Sequence, residues 1–187
     1  MQLYALCDQD LLQKHKLSIE EFVSIANKHD AVLLQYRDKK NNIEFIKQQL
    51  IKIRLHYDGF LIVNDTYELI DYCDGVHLGQ EDLKQIDEDI FKATSIVRKF
   101  IGDEKLFGIS THNETEVLKA NEMDLNYIGL GAYKNTTTKK DISNILGSSI
   151  DTIASKSKHL VAAIGGVKLN DKFENINYLV VGSGLIK

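Results

Sequence analysis

The sequence predicts a compact (β/α)8 TIM barrel, in which eight parallel strands form a closed sheet surrounded by helices. Three observations support this fold class. Short apolar runs recur along the whole chain, segments with helical periodicity lie between them, and the apolar runs are continuous instead of alternating with polar residues. Continuous runs are typical of parallel strands covered on both faces. Eight strand and helix units favour a closed barrel over an open doubly wound sheet.

The predicted strands are distributed over the full length of the chain. They are LYALC (3–7), AVLLQY (31–36), GFLIV (59–63), GVHL (75–78), LFGIS (106–110), NYIGLG (126–131), LVAAIGG (160–166) and YLVVG (178–182).

Helical periodicity is clearest in two connecting segments. IEFIKQQLIKIR (43–54) and IFKATSIVRKFI (90–101) repeat apolar residues at helical spacing. Brief patterns at 66–73 and 170–175 predict shortened helices. Shortening is expected because 187 residues is just below the lower limit of about 200 that is usual for this fold. The sequence ends at Lys187, directly after the eighth strand, so we expect the C-terminal helix to be missing or truncated.

Composition predicts a single cytoplasmic domain, residues 1–187. The chain is 43% hydrophobic and 27% charged, which is ordinary for a globular protein. A formal net charge of −4 gives no electrostatic footprint for nucleic acid, and no segment reaches the roughly 18 apolar residues of a membrane span. Cys7 and Cys73 lack the spacing of a disulfide framework or a zinc site, so we expect buried, reduced thiols.

Carboxylates follow two neighbouring predicted strands. Asn64 and Asp65 follow strand three, and Asp82 follows strand four after a glycine. Active sites of barrels lie at the carboxyl ends of the strands, so both aspartates are expected to face one site. Hard oxygen ligands suit Mg²⁺ bound together with substrate phosphates. An aspartate after a strand can also be an ordinary helix N-cap, but nearby cations favour a metal and anion site here.

Those cations follow strands two and six. Arg37 and Lys39 occupy alternate positions, so on an extended segment they project to the same side together with Gln35. Arginine supplies a planar donor fork and lysine a mobile point charge, a combination that suits a diphosphate. Lys139 lies in the polar loop TTTKK after strand six.

Glycines follow the last two predicted strands, in IGG (164–166) and GSG (182–184). Barrels often bind a phosphate on backbone N–H groups at this position, and small residues let the backbone approach the ligand closely.

These segments, taken in order, resemble the thiamine phosphate synthase and TenI (thiazole tautomerase) family, and are more similar to the synthases. The similarity covers essentially the whole chain and runs through LYALCD, LLQYRDK, LIVNDTYEL, DGVHLGQEDL, FGISTHNETEVLKA, YIGLGAYKNTTTKKD, VAAIGGV and VVGSGLI. The combination of GVHLGQEDL with TKKD at this distance is specific. The resemblance implies a transferase that joins 4-amino-2-methyl-5-hydroxymethylpyrimidine diphosphate to hydroxyethylthiazole phosphate, or to its carboxylated form, and releases pyrophosphate.

The resemblance also implies a role for each matching residue. Asp65 and Asp82 match the Mg²⁺ ligands, and Arg37, Lys39, Ser110 and Lys139 match catalytic positions. The implied substrate-binding residues are Gln35, Arg37, Lys39, Asn64, Ser110, Thr136, Thr138, Lys139, Gly166, Gly182 and Ser183. Two positions depart from the family pattern, since Asn135 replaces a common proline and Gly182 a usually apolar residue.

The implied reaction needs no protein nucleophile. If the C–O bond of the pyrimidine diphosphate breaks first, the departing diphosphate gains negative charge that the cations would stabilise. His77 and His112 are therefore not predicted to be catalytic, and His77 is interpreted as a packed or hydrogen-bonded structural residue.

Two other functions remain open at this point. A TenI-type tautomerase characteristically uses a histidine after strand six, where this chain has Ala132 and Tyr133. A non-catalytic binder of phosphorylated thiamine precursors is the second alternative, because a fold can host many functions. A partner subunit could cover the barrel edge near Lys187, so a homodimer is one arrangement to test.

Overall fold

The computed structural model describes residues 1–135 and 145–186 and confirms the predicted barrel. The strands are β1 Gln2–Asp8, β2 Leu33–Arg37, β3 Phe60–Asn64, β4 Gly75–Leu78, β5 Leu106–Thr111, β6 Tyr127–Leu130, β7 Leu160–Ala163 and β8 Tyr178–Val181. Each strand pairs in parallel with its neighbours, and β1 pairs with both β2 and β8, which closes the sheet.

The helices surround this sheet, and several of them are reduced to one or two turns, as predicted. They are α1 Gln9–His15, α2 Ile19–Lys28, α3 Ile43–Arg54, α4 Gln80–Ile86, α5 Ile90–Ile101, α6 Glu114–Ala120 and α7 Ile150–Ala154, with 3₁₀ turns at Tyr67–Tyr72, Gly147–Ser149 and Ser183–Leu185. The two strongest helical patterns thus correspond to α3 and α5. Within the described residues, β8 is followed by a 3₁₀ turn.

The predicted helical segment at 170–175 is wrong, because the described connection from β7 to β8 consists of turns. Carboxylates bind the backbone N–H groups that a helix would use. The Asp151 side chain accepts hydrogen bonds from the N–H groups of Glu174 and Asn175, both at 2.8 Å. Side-chain acceptors of this kind compete with helical hydrogen bonding.

The inside of the barrel forms a layer separate from the core between strands and helices. Inward-pointing residues from several strands pack there, namely Tyr4, Leu6, Leu33, Ile62, Tyr127, Ala162 and Val180. The rings of Tyr4 and Tyr127 meet edge to face with centroids 5.8 Å apart. This packed layer supports the residues at the carboxyl ends of the strands. Within residues 1–135 and 145–186, no helix is long and apolar enough to cross a membrane.

Arg98 fixes the opposite end of the barrel. Its buried guanidinium donates hydrogen bonds to the backbone carbonyls of Gly102 and Lys105, at 3.1 and 2.8 Å, and to the Asn126 side chain at 2.8 Å. These acceptors belong to the two segments that lead into β5 and β6. One cation therefore holds the entry to two adjacent strands.

We expect Arg98→Met to lower the free energy of unfolding by about 2–4 kcal/mol, because it removes the hydrogen bonds through which one buried guanidinium joins the segments before β5 and β6. Urea unfolding followed by circular dichroism measures the change. Lys99→Met is the matched control, because Lys99 follows Arg98 and its side chain is exposed. We expect this substitution to change the free energy of unfolding by less than about 0.5 kcal/mol. Equal stability of Arg98→Met and the wild type would contradict the role given to Arg98.

Candidate active site

The described residues of the predicted site lie at the carboxyl ends of the strands or in the segments that follow. Gln35 and Arg37 are on β2, Asn64 ends β3, and Ser110 is on β5. The others follow strands: Lys39 after β2, Asp65 after β3, Asp82 in the first turn of α4, Gly166 after β7, and Gly182 and Ser183 after β8. Thr136, Thr138 and Lys139 lie outside the described residues.

Asp65 and Asp82 converge on a single cation. The ammonium of Lys39 forms an ion pair with Asp65 and lies 3.5 Å from Oδ1 of Asp82. The second carboxylate oxygen of Asp82 accepts a hydrogen bond from the Gly79 N–H at 3.1 Å. Asp82 is thus not the N-cap of α4, which is Gly79, but it accepts from the N-cap N–H as the third residue of the helix, and its other oxygen faces Lys39. Three side chains from consecutive segments of the barrel rim meet at one point.

The backbone holds Asp65 in an uncommon conformation. Its φ is +66°, in the left-handed region that non-glycine residues seldom adopt, although aspartate tolerates it better than most. Its N–H donates to the carbonyl of His77 at 2.9 Å, and its own carbonyl accepts from Tyr67 at 2.9 Å. The β4 strand and the following turn thus determine where the carboxylate points. Strain of this kind is concentrated at functional sites.

Burial raises the pKa of Asp65 to about 6. The nearby negative charge of Asp82 acts in the same direction, whereas Lys39 opposes the shift. Two carboxylates close together disfavour each other's ionisation, and one lysine does not fully compensate for this and for the loss of water. The site therefore has an excess of negative charge that a further cation would relieve.

Two buried side-chain atoms among the described residues lack a hydrogen-bond partner: Nδ2 of Asn64 and Oδ2 of Asp65. The Asp65 oxygen is in the ion pair with Lys39, but no donor within residues 1–135 and 145–186 meets it with hydrogen-bond geometry. Buried polar groups in native proteins nearly always have a partner. A buried donor without a partner next in sequence to a carboxylate that meets a single cation is typical of a ligand site.

These residues fit a magnesium ion. Within the described part of the chain no group of three or more His, Cys, Asp and Glu residues forms a complete metal cage. Mg²⁺ does not require one, because it usually binds through one or two carboxylates, waters and substrate phosphates. Asp65 and Asp82 supply hard oxygen donors of this type. An open groove of about 530 Å³ adjoins them and is also lined by Glu68 and Gln85.

Arg37 lies at the same rim but is paired with another carboxylate. Its guanidinium contacts Asp8 at the end of β1, and Asp8 also caps α1 by accepting from the Leu11 N–H at 3.1 Å. The Asp8 side chain is 4% exposed, and that of Arg37 is 24% exposed. Asp8 therefore orients Arg37 while the guanidinium remains accessible to a ligand.

Gln35 and Ser110 face the barrel interior and contact residues that the sequence analysis did not select. Gln35 donates to the hydroxyl of Tyr4 at 2.7 Å, and Ser110 Oγ is 3.0 Å from Nε2 of His77. His77 is 7% exposed and hydrogen-bonded, in agreement with its interpretation as a structural residue. Because side chains alternate between the two faces of a strand, the sequence could have placed Tyr4 and His77 inside the barrel. It could not have shown which residues they contact.

The glycine turn after β7 is shaped by close backbone contacts. Gly165 and Gly166 have φ of +86° and +71°, and a Cβ on Gly166 would lie 2.8 Å from Cβ of Lys134. The turn therefore excludes side chains and ends β7 at Ala163, three residues earlier than predicted. Gly182 and Ser183 start the 3₁₀ turn after β8. A barrel commonly binds a phosphate between these two loops.

This arrangement defines a class of protein: a (β/α)8 barrel with an acidic and basic cluster suited to a metal-assisted reaction of a phosphorylated substrate. A family profile described as "Thiamine monophosphate synthase" matches residues 3–182. The chain therefore belongs to the thiamine monophosphate synthase family, and the predicted family is confirmed.

Several curated relatives are called "Thiamine-phosphate synthase". The one from Lawsonia intracellularis is 34% identical over 182 residues, which cover 94% of this chain and 79% of the relative. The one from Dictyoglomus thermophilum is 33% identical over 152 residues, covering 78% of this chain and 64% of the relative. The chain thus spans between about two thirds and four fifths of the length of these two relatives.

Solved structures share the fold. "Thiamine phosphate pyrophosphorylase" from Pyrococcus furiosus has a TM-score of 0.74 and 23% identity, covering 97% of this chain and 85% of that one. A tryptophan synthase alpha-subunit, also from Pyrococcus furiosus, has a TM-score of 0.65 and 12% identity, with coverage of 99% and 88%. Both support the fold alone, and the second shows that this fold serves other chemistry.

The raised pKa of Asp65 predicts a pH-dependent effect of Asp65→Asn on the metal-free protein. A carboxyl that binds its proton more tightly when folded makes stability fall as the pH rises from 3.8 to about 6. Asparagine has no such charge and tolerates positive φ. The variant should therefore be more stable than wild type at pH 7.5 by about 1–2 kcal/mol, and this gain should disappear below about pH 4.

Urea unfolding in EDTA at both pH values measures the effect. Asp30→Asn is the matched control, since Asp30 has φ of +52° but an exposed side chain. It should change stability little at either pH. A destabilised Asp65→Asn at pH 7.5 would show that Lys39 outweighs burial and Asp82.

Proposed function

We propose that this protein is a Mg²⁺-dependent thiamine-phosphate synthase. It joins 4-amino-2-methyl-5-hydroxymethylpyrimidine diphosphate to hydroxyethylthiazole phosphate, or to the carboxylated form, and releases pyrophosphate. Membership of the family and the names of the curated relatives support this activity. The observation that carries the proposal is the convergence of Asp65 and Asp82 on Lys39, next in sequence to Asn64, whose buried Nδ2 has no hydrogen-bond partner among the described residues.

The charges at the rim suit a departing diphosphate. Arg37 presents a donor fork oriented by Asp8, and Lys39 presents a point charge between two carboxylates. Bound Mg²⁺ would neutralise charge on the diphosphate oxygens. As the C–O bond lengthens, these oxygens become more negative, so Arg37 and Lys39 stabilise the transition state more than the bound substrate. Lys139 has the same role in the proposal but lies outside the described residues.

The neutral half of the site holds the pyrimidine. Gln35 and Ser110 lie on β2 and β5, and Asn64 ends β3; each presents amide or hydroxyl groups without net charge. The excess negative charge of the carboxylates at this rim would stabilise a cation on the pyrimidine methylene carbon. The thiazole nitrogen then attacks that carbon, so no covalent bond to the protein is required.

The thiazole phosphate occupies the glycine-lined end of the site in this proposal. Gly166, Gly182 and Ser183 would offer backbone N–H groups and a hydroxyl to the phosphate, together with Thr136 and Thr138 outside the described residues. The phosphate would thereby hold the thiazole nitrogen close to the methylene carbon. Holding two reactants in this way removes much of the entropic barrier of a bimolecular reaction.

Removing either acidic side chain should suppress turnover. With both substrates and Mg²⁺ present, we expect wild-type protein to form thiamine phosphate and pyrophosphate in equal amounts. We expect Asp65→Asn and Asp82→Asn to lower kcat by at least about 100-fold, because charge stabilisation of the diphosphate is lost. Both products can be quantified by chromatography and a coupled pyrophosphate assay.

Glu81→Gln is the matched control, since it removes one negative charge from an exposed neighbour of Asp82 on the same helix. It should retain the wild-type rate. No thiamine phosphate from the wild type would overturn the proposed activity. Wild-type rates in both aspartate variants would overturn the metal assignment alone.

Arg37→Lys should lower kcat/KM for the pyrimidine diphosphate by on the order of tenfold or more, because lysine lacks the bidentate fork. Arg54→Lys is a suitable control: Arg54 pairs with Asp74 near the amino ends of β3 and β4. That variant should affect stability but not kcat/KM. Equal losses in the two variants would indicate a general structural effect instead of substrate binding.

A further inference from the structure

A chain of buried hydrogen bonds crosses the barrel interior and joins Gln35 to Ser110. Gln35 Nε2 is 2.7 Å from the hydroxyl of Tyr4, which is 2.8 Å from the hydroxyl of Tyr127. The Tyr127 hydroxyl is 3.1 Å from Nδ1 of His77, and Nε2 of His77 is 3.0 Å from Ser110 Oγ. Five strands, β1, β2, β4, β5 and β6, each contribute one member.

The interior is shaped to contain this chain. Tyr4 and Tyr127 are 1% and 3% exposed, and the rings of His77 and Tyr127 stack with centroids 5.5 Å apart. A Cβ at Gly108 would lie 2.2 Å from the Tyr127 ring, and one at Gly129 would lie 3.0 Å from the His77 imidazole. Glycines on β5 and β6 thus leave the space that the two rings fill.

The direction of each hydrogen bond follows from the supply of donors. An amide nitrogen can only donate, so the Tyr4 oxygen accepts from Gln35. Burial raises the pKa of Tyr4 and of Tyr127, so each remains a neutral hydroxyl with one proton to donate. Between its two partners Tyr4 can donate only to Tyr127. Tyr127, having accepted from Tyr4, donates to Nδ1 of His77.

The same logic determines the tautomer of His77. A neutral imidazole has one donor and one acceptor nitrogen, and the hydrogen bond at one nitrogen selects the state of the other. Since Nδ1 accepts from Tyr127, the proton is on Nε2 and is donated to Ser110 Oγ. The Ser110 oxygen therefore accepts from the interior, and its own proton is available to a ligand.

We propose that Tyr4, Tyr127 and His77 are positioning residues that make Ser110 a hydrogen-bond donor and Gln35 an acceptor toward the substrate. At the other end of the chain, Gln35 uses its amide nitrogen inward, so its Oε1 is the atom left for a ligand. The pair is complementary to a heteroaromatic amine, in which an exocyclic N–H donates and a ring nitrogen accepts. A ring that carries a carbonyl instead of the amine, and a ring N–H instead of the bare nitrogen, would not be complementary. Its acceptor would face Oε1 of Gln35 and its donor would face the Ser110 hydroxyl proton. The catalytic consequence of this inference rests on the proposed function, whereas the tautomer does not.

The tautomer of His77 can be measured without any substrate. Long-range ¹H–¹⁵N correlation spectra of uniformly labelled protein distinguish Nε2–H from Nδ1–H, and the His77 signals are assigned by their loss in His77→Gln. We expect Nε2–H in the wild type. In Tyr127→Phe, which keeps the ring but removes the hydroxyl, we expect a mixture of tautomers. Wild-type protein with the proton on Nδ1 would overturn the proposal.

Steady-state kinetics test whether the chain acts through Ser110. Tyr127→Phe should lower kcat/KM for the pyrimidine diphosphate by on the order of tenfold, as expected for one misdirected buried hydrogen bond. In a Ser110→Ala background the same substitution should have no further effect, because coupled residues are not additive. Multiplicative losses in the double variant would indicate a general packing effect and overturn the positioning role.

Tyr178→Phe is the matched control. The Tyr178 ring also packs against Tyr4 inside the barrel, with centroids 6.5 Å apart, but its hydroxyl is not in the chain. That variant should stay within about twofold of wild-type kcat/KM and should leave the His77 tautomer unchanged. If the wild type forms no thiamine phosphate, the proposed function fails while the tautomer measurement still decides the hydrogen-bond chain. An active wild type with the other tautomer overturns the chain alone.

Discussion

The structure depends on one electrostatic constraint: two carboxylates and one ammonium are held together where the closed sheet ends. Closure places the ends of β2, β3 and β4 side by side, and this brings Lys39, Asp65 and Asp82 into contact. Burial of the Asp65 carboxyl, together with the nearby negative charge of Asp82, raises the pKa of Asp65, which is unfavourable for the metal-free protein at neutral pH. A divalent cation with a diphosphate would supply complementary charge.

The neutral site residues Gln35 and Ser110 are supported by side chains inside the barrel, below this rim. The interior of most barrels is filled mainly with branched apolar side chains, and here two tyrosines and a histidine lie among such residues. Buried polar groups are costly unless every member of the network is paired. Such a network resists rearrangement, so the orientation of Ser110 and Gln35 is set by the strands and not by mobile loops.

Much of the fold could be predicted from the sequence. Continuous apolar runs identified each strand in the described part of the chain, and α3 and α5 had the expected bounds because their amphipathic periodicity is strong. The segment at 170–175 was mispredicted, since its backbone N–H groups bind to the Asp151 carboxylate, a tertiary contact that local sequence does not reveal. The end of β7 was placed too late because the glycine turn depends on crowding against Lys134.

The sequence was sufficient to predict which described residues of the candidate site lie at the rim, since the carboxyl ends of parallel strands share one edge. Their partners could not be predicted. The pairing of Arg37 with Asp8 and the positive φ of Asp65 depend on neighbouring strands. The contacts of Tyr4, Tyr127 and His77 depend on register across the barrel, which sequence alone does not determine.

The most direct test of the rim as a metal and diphosphate site is an electron paramagnetic resonance titration with Mn²⁺, a divalent ion that also prefers oxygen ligands. Free Mn²⁺ is counted in the presence and absence of the pyrimidine diphosphate. We expect one tightly held ion per chain when the diphosphate is present, and much weaker binding in its absence. Failure to retain Mn²⁺ with saturating diphosphate would contradict the central claim.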